Sequence, residues 1–396
     1  MIHAVLHGVR IVEQGTFITG PCAGMMLADL GADVIKIEST DGDPYRSYQN
    51  GLYSPHFQAY NRNKRGIACD LKLPADRAVF DQLVAGADVY IQNFRPGTAD
   101  RLGAGWRRLH GLNQQLVYCS ISGFGGDGPY VERPSYDSVA QALSGFLSVV
   151  VDEERPRFLG PALADAITGI YAAYGILGAL LERTRTSHGR LVEVSMLEAM
   201  AHFAVEPFAA YFALGTTPKS SDRPRLAQAY ILRTSDGRLL AIHLSSLEKF
   251  WQGLTTALEA DELGRDARFS ARLSRIENYE ALGAELDCRF RQRTLAEWST
   301  RLSANDVPFA PINGIDAVVE DPQARHLGLV VPVDSVKEGG RHAVRPPLQF
   351  DGTRAASVSA APLLNQHGDA IRAALARDGS WPGATPPDAG ARRAAG

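Results

Sequence analysis

Short apolar runs alternate with helical stretches through the first third of the chain. Val9–Glu13 reads as a buried strand, Asp33–Glu38 (DVIKIE) as a second, Asp88–Asn93 (DVYIQN) as a third and Leu116–Ser122 (LVYCSIS) as a fourth. Pro21–Leu30 and Pro74–Ala85 read as helices, each opened by a proline whose missing N–H has no helical partner in the first turn. Strands separated by helices predict parallel β-α-β units in a doubly wound sheet. Ligands on such sheets gather at the carboxyl ends of the strands.

Further on, Asp165–Arg183 is a long helical stretch rich in Ala and Gly, followed by a strand at Leu191–Met196 and a helix at Glu198–Leu214. The polar run Gly215–Arg225 (GTTPKSSDRPR) reads as a linker and sets a domain boundary. Beyond it, Ala229–Thr234 and Arg238–Leu244 flank Ser235-Asp236-Gly237, a strong hairpin signal. Helical patterns at Glu248–Leu258, Tyr279–Arg291 and Leu295–Ala304 complete a small α+β domain. Gly339–Phe350 reads as a loop, and the residues after about Pro382 as a surface tail. The division expected is therefore a large domain over 1–215, a small one over 225–330 and a C-terminal segment over 331–396.

Composition narrows the function classes. The 396 residues are 45% hydrophobic, with 41 Lys+Arg against 44 Asp+Glu, a balance that disfavours a nucleic-acid binder. Four scattered cysteines (Cys22, Cys69, Cys119, Cys288) form no C-x-x-C pair and fit a reducing compartment. No uninterrupted apolar run reaches the roughly 18 residues of a membrane span. Met1 to Gly20 lacks a basic region followed by an apolar run, so a cytoplasmic location without membrane association is expected.

Gly123-Phe-Gly125-Gly-Asp-Gly128 spells G-x-G-x-x-G after a strand, yet Pro129, Tyr130 and Arg133-Pro134 follow where a dinucleotide site requires a helix N-terminus. No nucleophile elbow, H-E-x-x-H or P-loop occurs, and the 10 His form no metal or triad pattern. Asp165 opens the longest apolar helix. Its ordinary reading is a first-turn acid favoured by the helix dipole, worth about 0.5–2 kcal/mol. Its functional reading is a carboxylate kept ionised by that N-terminus, able to attack an activated acyl group. Arg62-Asn63-Lys64-Arg65, with Lys72, Arg95 and Arg101, is either a solvated face or a set of phosphate grips at strand ends.

Read in order, several segments resemble the family III CoA-transferases. They are Gly20-Pro21 with Leu30–Glu38, then Tyr60–Ile67 with Asp70-Leu71-Lys72. Asn93-Phe94-Arg95-Pro96-Gly97 and Arg101-Leu102-Gly103 follow, then Ser120–Gly125, Tyr136-Asp137 and Asp165 with Thr168-Gly169. The resemblance implies an α/β fold: a Rossmann-like large domain with an inserted smaller α+β domain, in an interlocked ring-like homodimer. It implies that Asp165 is the nucleophile, with Tyr136 beside it in the catalytic centre. It implies acyl-CoA and a free carboxylic acid as substrates, with no metal and no cofactor beyond the CoA thioester. CoA contacts carry over to Ile18, Thr19, Asp70, Leu71, Lys72, Asn93, Phe94, Arg95, Arg101 and Tyr136.

Two departures matter. Formyl-CoA transferase has a CoA-contacting arginine where this chain has Ser39, so either another arginine, such as Arg62 or Arg65, takes that task or CoA binds differently. The long polyglycine loop of that enzyme is absent, which disfavours oxalate/formate exchange. A small dicarboxylate acceptor such as succinate, itaconate or mesaconate is expected, with Arg46 and Arg225 as spare arginines for its second carboxylate. A competing reading in the same fold is an α-methylacyl-CoA racemase. Its His-Asp pair would fall on Tyr136-Asp137, and tyrosine, with an ordinary pKa of about 10, is a poor base for that step. A non-catalytic acyl-CoA binder and a dinucleotide-linked oxidoreductase are two further readings.

Overall fold

Alternating apolar residues place two faces on the central strands, and both faces are covered. The structure is a computed structural model that describes residues 5–49, 51–158, 160–245, 248–334 and 342–383. It contains two compact units. The first takes the chain up to Phe146, from Phe158 to Val205 and from Pro322 onward; the second takes Leu147–Arg157 and Glu206–Asp321.

The first unit is built on six parallel strands: β1 (Arg10–Gln14), β2 (Asp33–Glu38), β3 (Lys64–Ala68), β4 (Val89–Gln92), β5 (Val117–Ser122) and β6 (Leu191–Ser195). Their order is β3-β2-β1-β4-β5-β6. β1 pairs with β2 through Ile11↔Val34 and with β4 through Ile11↔Val89. This is the doubly wound Rossmann order, whose direction reverses between β1 and β4. On one face, Ile11, Val34, Val89 and Ile91 pack under the helices Thr19–Asp29 and Leu163–Thr186. On the other, Val12, Ile35, Tyr90 and Tyr118 pack against Phe80, Leu83, Leu109, Ile371 and Leu375. The last two lie on Gly368–Asp378, so the C-terminal helix closes the large core.

Strand β3 departs from expectation, because its sequence, KRGIA, reads as part of a basic cluster. Lys64 is nevertheless buried there, neutralised by Glu13 from β1. Leu163–Thr186 is long and apolar enough to cross a bilayer by length and composition, but half of its most apolar window is buried in this unit. Gly169 lets it approach Thr19–Asp29: a Cβ there would stand 2.6 Å from Cys22 Cβ. The helix expected over Glu198–Leu214 is two helices, Met196–Phe203 and Val205–Leu214.

In the second unit, Ala229–Arg233 and Leu239–His243 form the Asp-Gly hairpin, with Gly237 at φ +78°, and Phe309–Pro311 adds a third antiparallel strand. Trp251, Leu286, Phe290 and Trp298 centre its helical core. The expected boundary at Gly215–Arg225 lies inside this unit, where the polar run ends in the short helix Asp222–Ala227. Within the run expected as loop, His342–Val344 pairs with Val330–Asp334. Residues 335–341 and the tail from 384 lie outside the described residues.

Candidate active site

A cavity of about 620 Å³ opens at the carboxyl ends of β1, β4 and β5, in the first unit. This is the switch point where an open α/β sheet parts its loops. Each strand contributes the segment at its carboxyl end. After β1 come Thr16, Phe17, Ile18 and Thr19; after β4, Asn93, Phe94 and Arg95; after β5, Gly123 to Gly125 and on to Arg133 and Tyr136. The helix Leu163–Thr186 brings Asp165 to the wall.

Asp165 is half-buried in the first turn of that helix, and no described residue donates a hydrogen bond to its carboxylate. The helix N-terminus is capped instead by Asp137, whose Oδ1 accepts from the Ala164 amide at 2.7 Å and the Asp165 amide at 3.3 Å. Gln141 Nε2 donates to its other oxygen at 2.7 Å. Burial, and then the nearby Asp137 charge, push the Asp165 carboxyl up to about 7. The expected helix N-terminus does not hold Asp165 ionised, because Asp137 takes its amide donors. Cys22, Tyr45 and Tyr60 lie within electrostatic reach of Asp165. Burial keeps all three protonated, with Cys22 raised to about 11 and Tyr45 to about 12. Of these four groups, Asp165 is the one that ionises near neutrality.

Below the cavity lies a buried charge network. Lys36 Nζ donates to Glu13 Oε1 at 3.0 Å and the Gly15 carbonyl at 2.7 Å, and faces Asp43 Oδ2 at 3.1 Å. Lys64 Nζ reaches Glu13 Oε2, the Pro21 carbonyl at 2.8 Å and Asn61 at 2.9 Å. Gly24 leaves room for the Glu13 carboxylate, which a Cβ at that position would meet at 2.5 Å. Asp43 Oδ1 accepts from the amides of Phe17 (3.1 Å) and Tyr45 (2.9 Å). This holds Phe17 at φ +57°, a left-handed value costly for a bulky residue and of a kind concentrated at functional sites.

The expected site residues divide into two groups. Ile18, Thr19, Asn93, Phe94, Arg95, Tyr136 and Asp165 line the cavity together. Asn93 serves there as a brace: Oδ1 accepts from the Thr16 amide at 2.9 Å, and Nδ2 donates to the Thr16 carbonyl and Thr19 Oγ1 at 2.8 Å. Tyr136 is exposed, its ring edge-on to Phe17 at 6.4 Å. Asp70, Leu71 and Lys72 follow β3, and Arg101 follows β4; none lines the cavity, although all lie past the carboxyl edge of the sheet. Asp70 accepts from the Lys72 amide at 3.0 Å and shapes that turn, while Leu71 is buried.

Arg62 and Arg65, the candidates to stand in for the arginine missing at Ser39, lie outside the cavity lining and are each paired within the first unit. Arg62 pairs with Asp29 at 2.6 Å and donates to the Val344 carbonyl at 2.6 Å. Arg65 pairs with Asp33 at 2.6 Å and donates to the Pro382 carbonyl at 2.8 Å. Arg46 is likewise no spare cation: it is wholly buried and bonded twice to Glu38 at 2.7 Å. Arg225 belongs to the second unit. By contrast, Lys72, Arg95 and Arg101 have no carboxylate partner among the described residues.

Sequence reasoning missed Arg133, Phe17 and Tyr45 as lining residues and Asp137 as the cap. The Gly-rich loop was the available signal for Arg133. Gly123 admits the close approach of Ser135, whose side chain would collide with any Cβ there, and both residues line the cavity.

The comparisons agree with this geometry. Residues 6–368 match the sequence profile of CoA-transferase family III. A succinate–glutarate CoA-transferase of Agrobacterium fabrum is 30% identical over 93% of this chain and 95% of its own. A succinyl-CoA:mesaconate CoA-transferase of Haloarcula marismortui is 30% identical over 91% and 94%. The crystal structure of a CaiB/BaiF family protein from Brucella suis superposes with a TM-score of 0.84 at 35% identity, over 93% of this chain and 99% of that one. With a profile matched along nearly the whole length and the Rossmann sheet ending in the cavity that holds Asp165, this chain belongs to CoA-transferase family III.

Proposed function

We propose that the protein moves CoA from an acyl-CoA donor to a small dicarboxylic acid through covalent intermediates on Asp165. The carrying observation is that Asp165 is the only carboxylate lining the cavity, and that it has no hydrogen-bond donor, among the described residues. A carboxylate raised to about 7 is more basic, hence more nucleophilic, than a solvated one, yet still substantially ionised near neutral pH. Its oxygen attacks the thioester carbonyl and expels CoA thiolate, leaving an aspartyl–acyl anhydride. The thiolate attacks the aspartyl carbonyl, frees the donor acid and leaves an aspartyl-CoA thioester. The acceptor carboxylate then reverses both steps. Thioester energy is retained at each stage, so no ATP is consumed.

The chain's other groups assist by position. The amides of Ile18, Thr19 and Gly20, at the N-terminus of Thr19–Asp29, have no acceptor among the described residues and suit developing oxyanion charge. Lys72, Arg95 and Arg101, lacking carboxylate partners, suit the CoA phosphates. The dicarboxylate assignment is supported by relatives named for succinate, glutarate and mesaconate. Asp137 is occupied as a helix cap, which disfavours racemase chemistry at Tyr136-Asp137. The exposed row Ile170, Tyr174 and Leu181 on the long helix supports a homodimer in which a second copy covers it; sedimentation of the intact chain tests this. Transfer itself is tested by mixing protein with succinyl-CoA, digesting and weighing the fragment holding Asp165. A CoA adduct on that residue is expected; turnover without one overturns the mechanism.

A further inference from the structure

Arg133 has no part in the steps above, yet it lines the cavity that holds Asp165. Its guanidinium carbon stands 4.4 Å from the centre of the Tyr130 ring and 5.8 Å from that of Phe124. Stacking of this kind orients the planar fork without using its N–H donors. No carboxylate pairs with it among the described residues. The lining therefore holds two cations, Arg95 and Arg133, against one acid that is half-neutral near pH 7. Arg95 also borders a second cavity of about 250 Å³, whereas Arg133 borders only the first.

We propose that Arg133 is a specificity-determining residue: it grips the distal carboxylate of the dicarboxylic acid whose other end reacts at Asp165. The assignment rests on the transfer reading. A dicarboxylate supplies one anionic end to the reaction and leaves a second to be neutralised. A guanidinium meets a carboxylate through two parallel hydrogen bonds. A monocarboxylate of equal length would leave Arg133 unpaired and its own alkyl end beside a charge.

The test compares Arg133→Ala, and Arg133→Gln as a variant that keeps side-chain length and amide donors, with the unaltered protein. Butyryl-CoA is the donor, so that the donor's acyl group carries no distal charge. The ratio of kcat/KM for glutarate over valerate should fall about 10- to 100-fold in both variants. Calorimetric binding of free CoA, which has phosphates but no carboxylate, should stay within about twofold. A proportional loss of CoA affinity would assign Arg133 to the phosphates and overturn the proposal. So would an equal loss with both acids, or a preference for valerate in the unaltered protein. The CoA adduct on Asp165 is read in the same samples. If the adduct forms while the acid ratio is unmoved, only the Arg133 assignment fails. If no adduct forms in the unaltered protein, the transfer reading fails.

Discussion

Two sets of charges meet at the carboxyl end of β1, and they are built on opposite terms. The lower set is Glu13, Glu38 and Asp43 with Lys36, Lys64 and Arg46, all buried, three acids against three bases. Burial opposes the Glu13 carboxylate, but Lys36 and Lys64 hold it below the usual range. Burial likewise pulls Lys64 down to about 8 despite Glu13. The upper set, Asp165, Arg95 and Arg133, lines the cavity without ion pairs among the described residues. Paired charge fixes the backbone at Gly15, Phe17 and Pro21; the charges that line the cavity have no such partner among the described residues.

The sharpest way to break this contrast is to remove the unpaired acid. Asp165→Asn should lower kcat at least about 10³-fold, measured by CoA-ester exchange. Its effect on stability should have the opposite sign. Folded Asp165 keeps its proton up to about pH 7, whereas an unfolded aspartate loses it at about pH 4. Between those values the native state binds more protons, so this group's contribution to stability falls as pH rises. Asp165→Asn should therefore melt above the parent at pH 8 and level with it near pH 4. Equal melting at both values would remove the burial argument.

Treating the lower set the same way should give the reverse result. Glu13→Gln leaves Lys64 and Lys36 buried without their shared carboxylate, at a cost of about 3–5 kcal/mol. Urea unfolding should show it directly. A loss below about 1 kcal/mol would mean that the network is not the floor it is taken for. Arg95→Ala is the matching deletion above: stability within about 0.5 kcal/mol and CoA binding about tenfold weaker by calorimetry.

The sequence made one layer of this legible and hid the other. The strand–helix alternation and the Asp-Gly hairpin could be read because their signals are local, whereas Asp165 stood out from an ordinary first-turn acid only through the ordered set of segments around it. Strand β3 could not, because the lysine in KRGIA becomes a core residue only when Glu13, 51 residues away, is packed against it. Arg62, Arg65 and Arg95 look alike along the chain. Asp29 and Asp33 commit the first two from other elements of the first unit, and no described carboxylate commits the third. The same limit applies to Asp165. Its position was evident, but its raised pKa depends on burial and on Asp137, which reaches the helix from 27 residues upstream.

That last pairing yields the smallest and most diagnostic effect. Asp137 acts on Asp165 in two ways, as a cap that orders the helix and as a charge that opposes ionisation. Asn is as good a cap as Asp, since its carbonyl oxygen accepts the Ala164 amide equally well. Gln141 can present its own amide oxygen to the new NH2 group. Asp137→Asn should therefore keep the helix and remove only the charge. The rate of thioester attack needs ionised Asp165, so it rises with pH through about 7 in the parent. In the variant the rise should move to lower pH by a fraction of a unit, because burial, the larger cause, is untouched. The plateau rate and melting temperature should stay near the parent values. A pH–rate profile that does not move would assign the raised pKa to burial alone. A collapsed plateau would show that Asp137 has a part in the reaction beyond holding the helix.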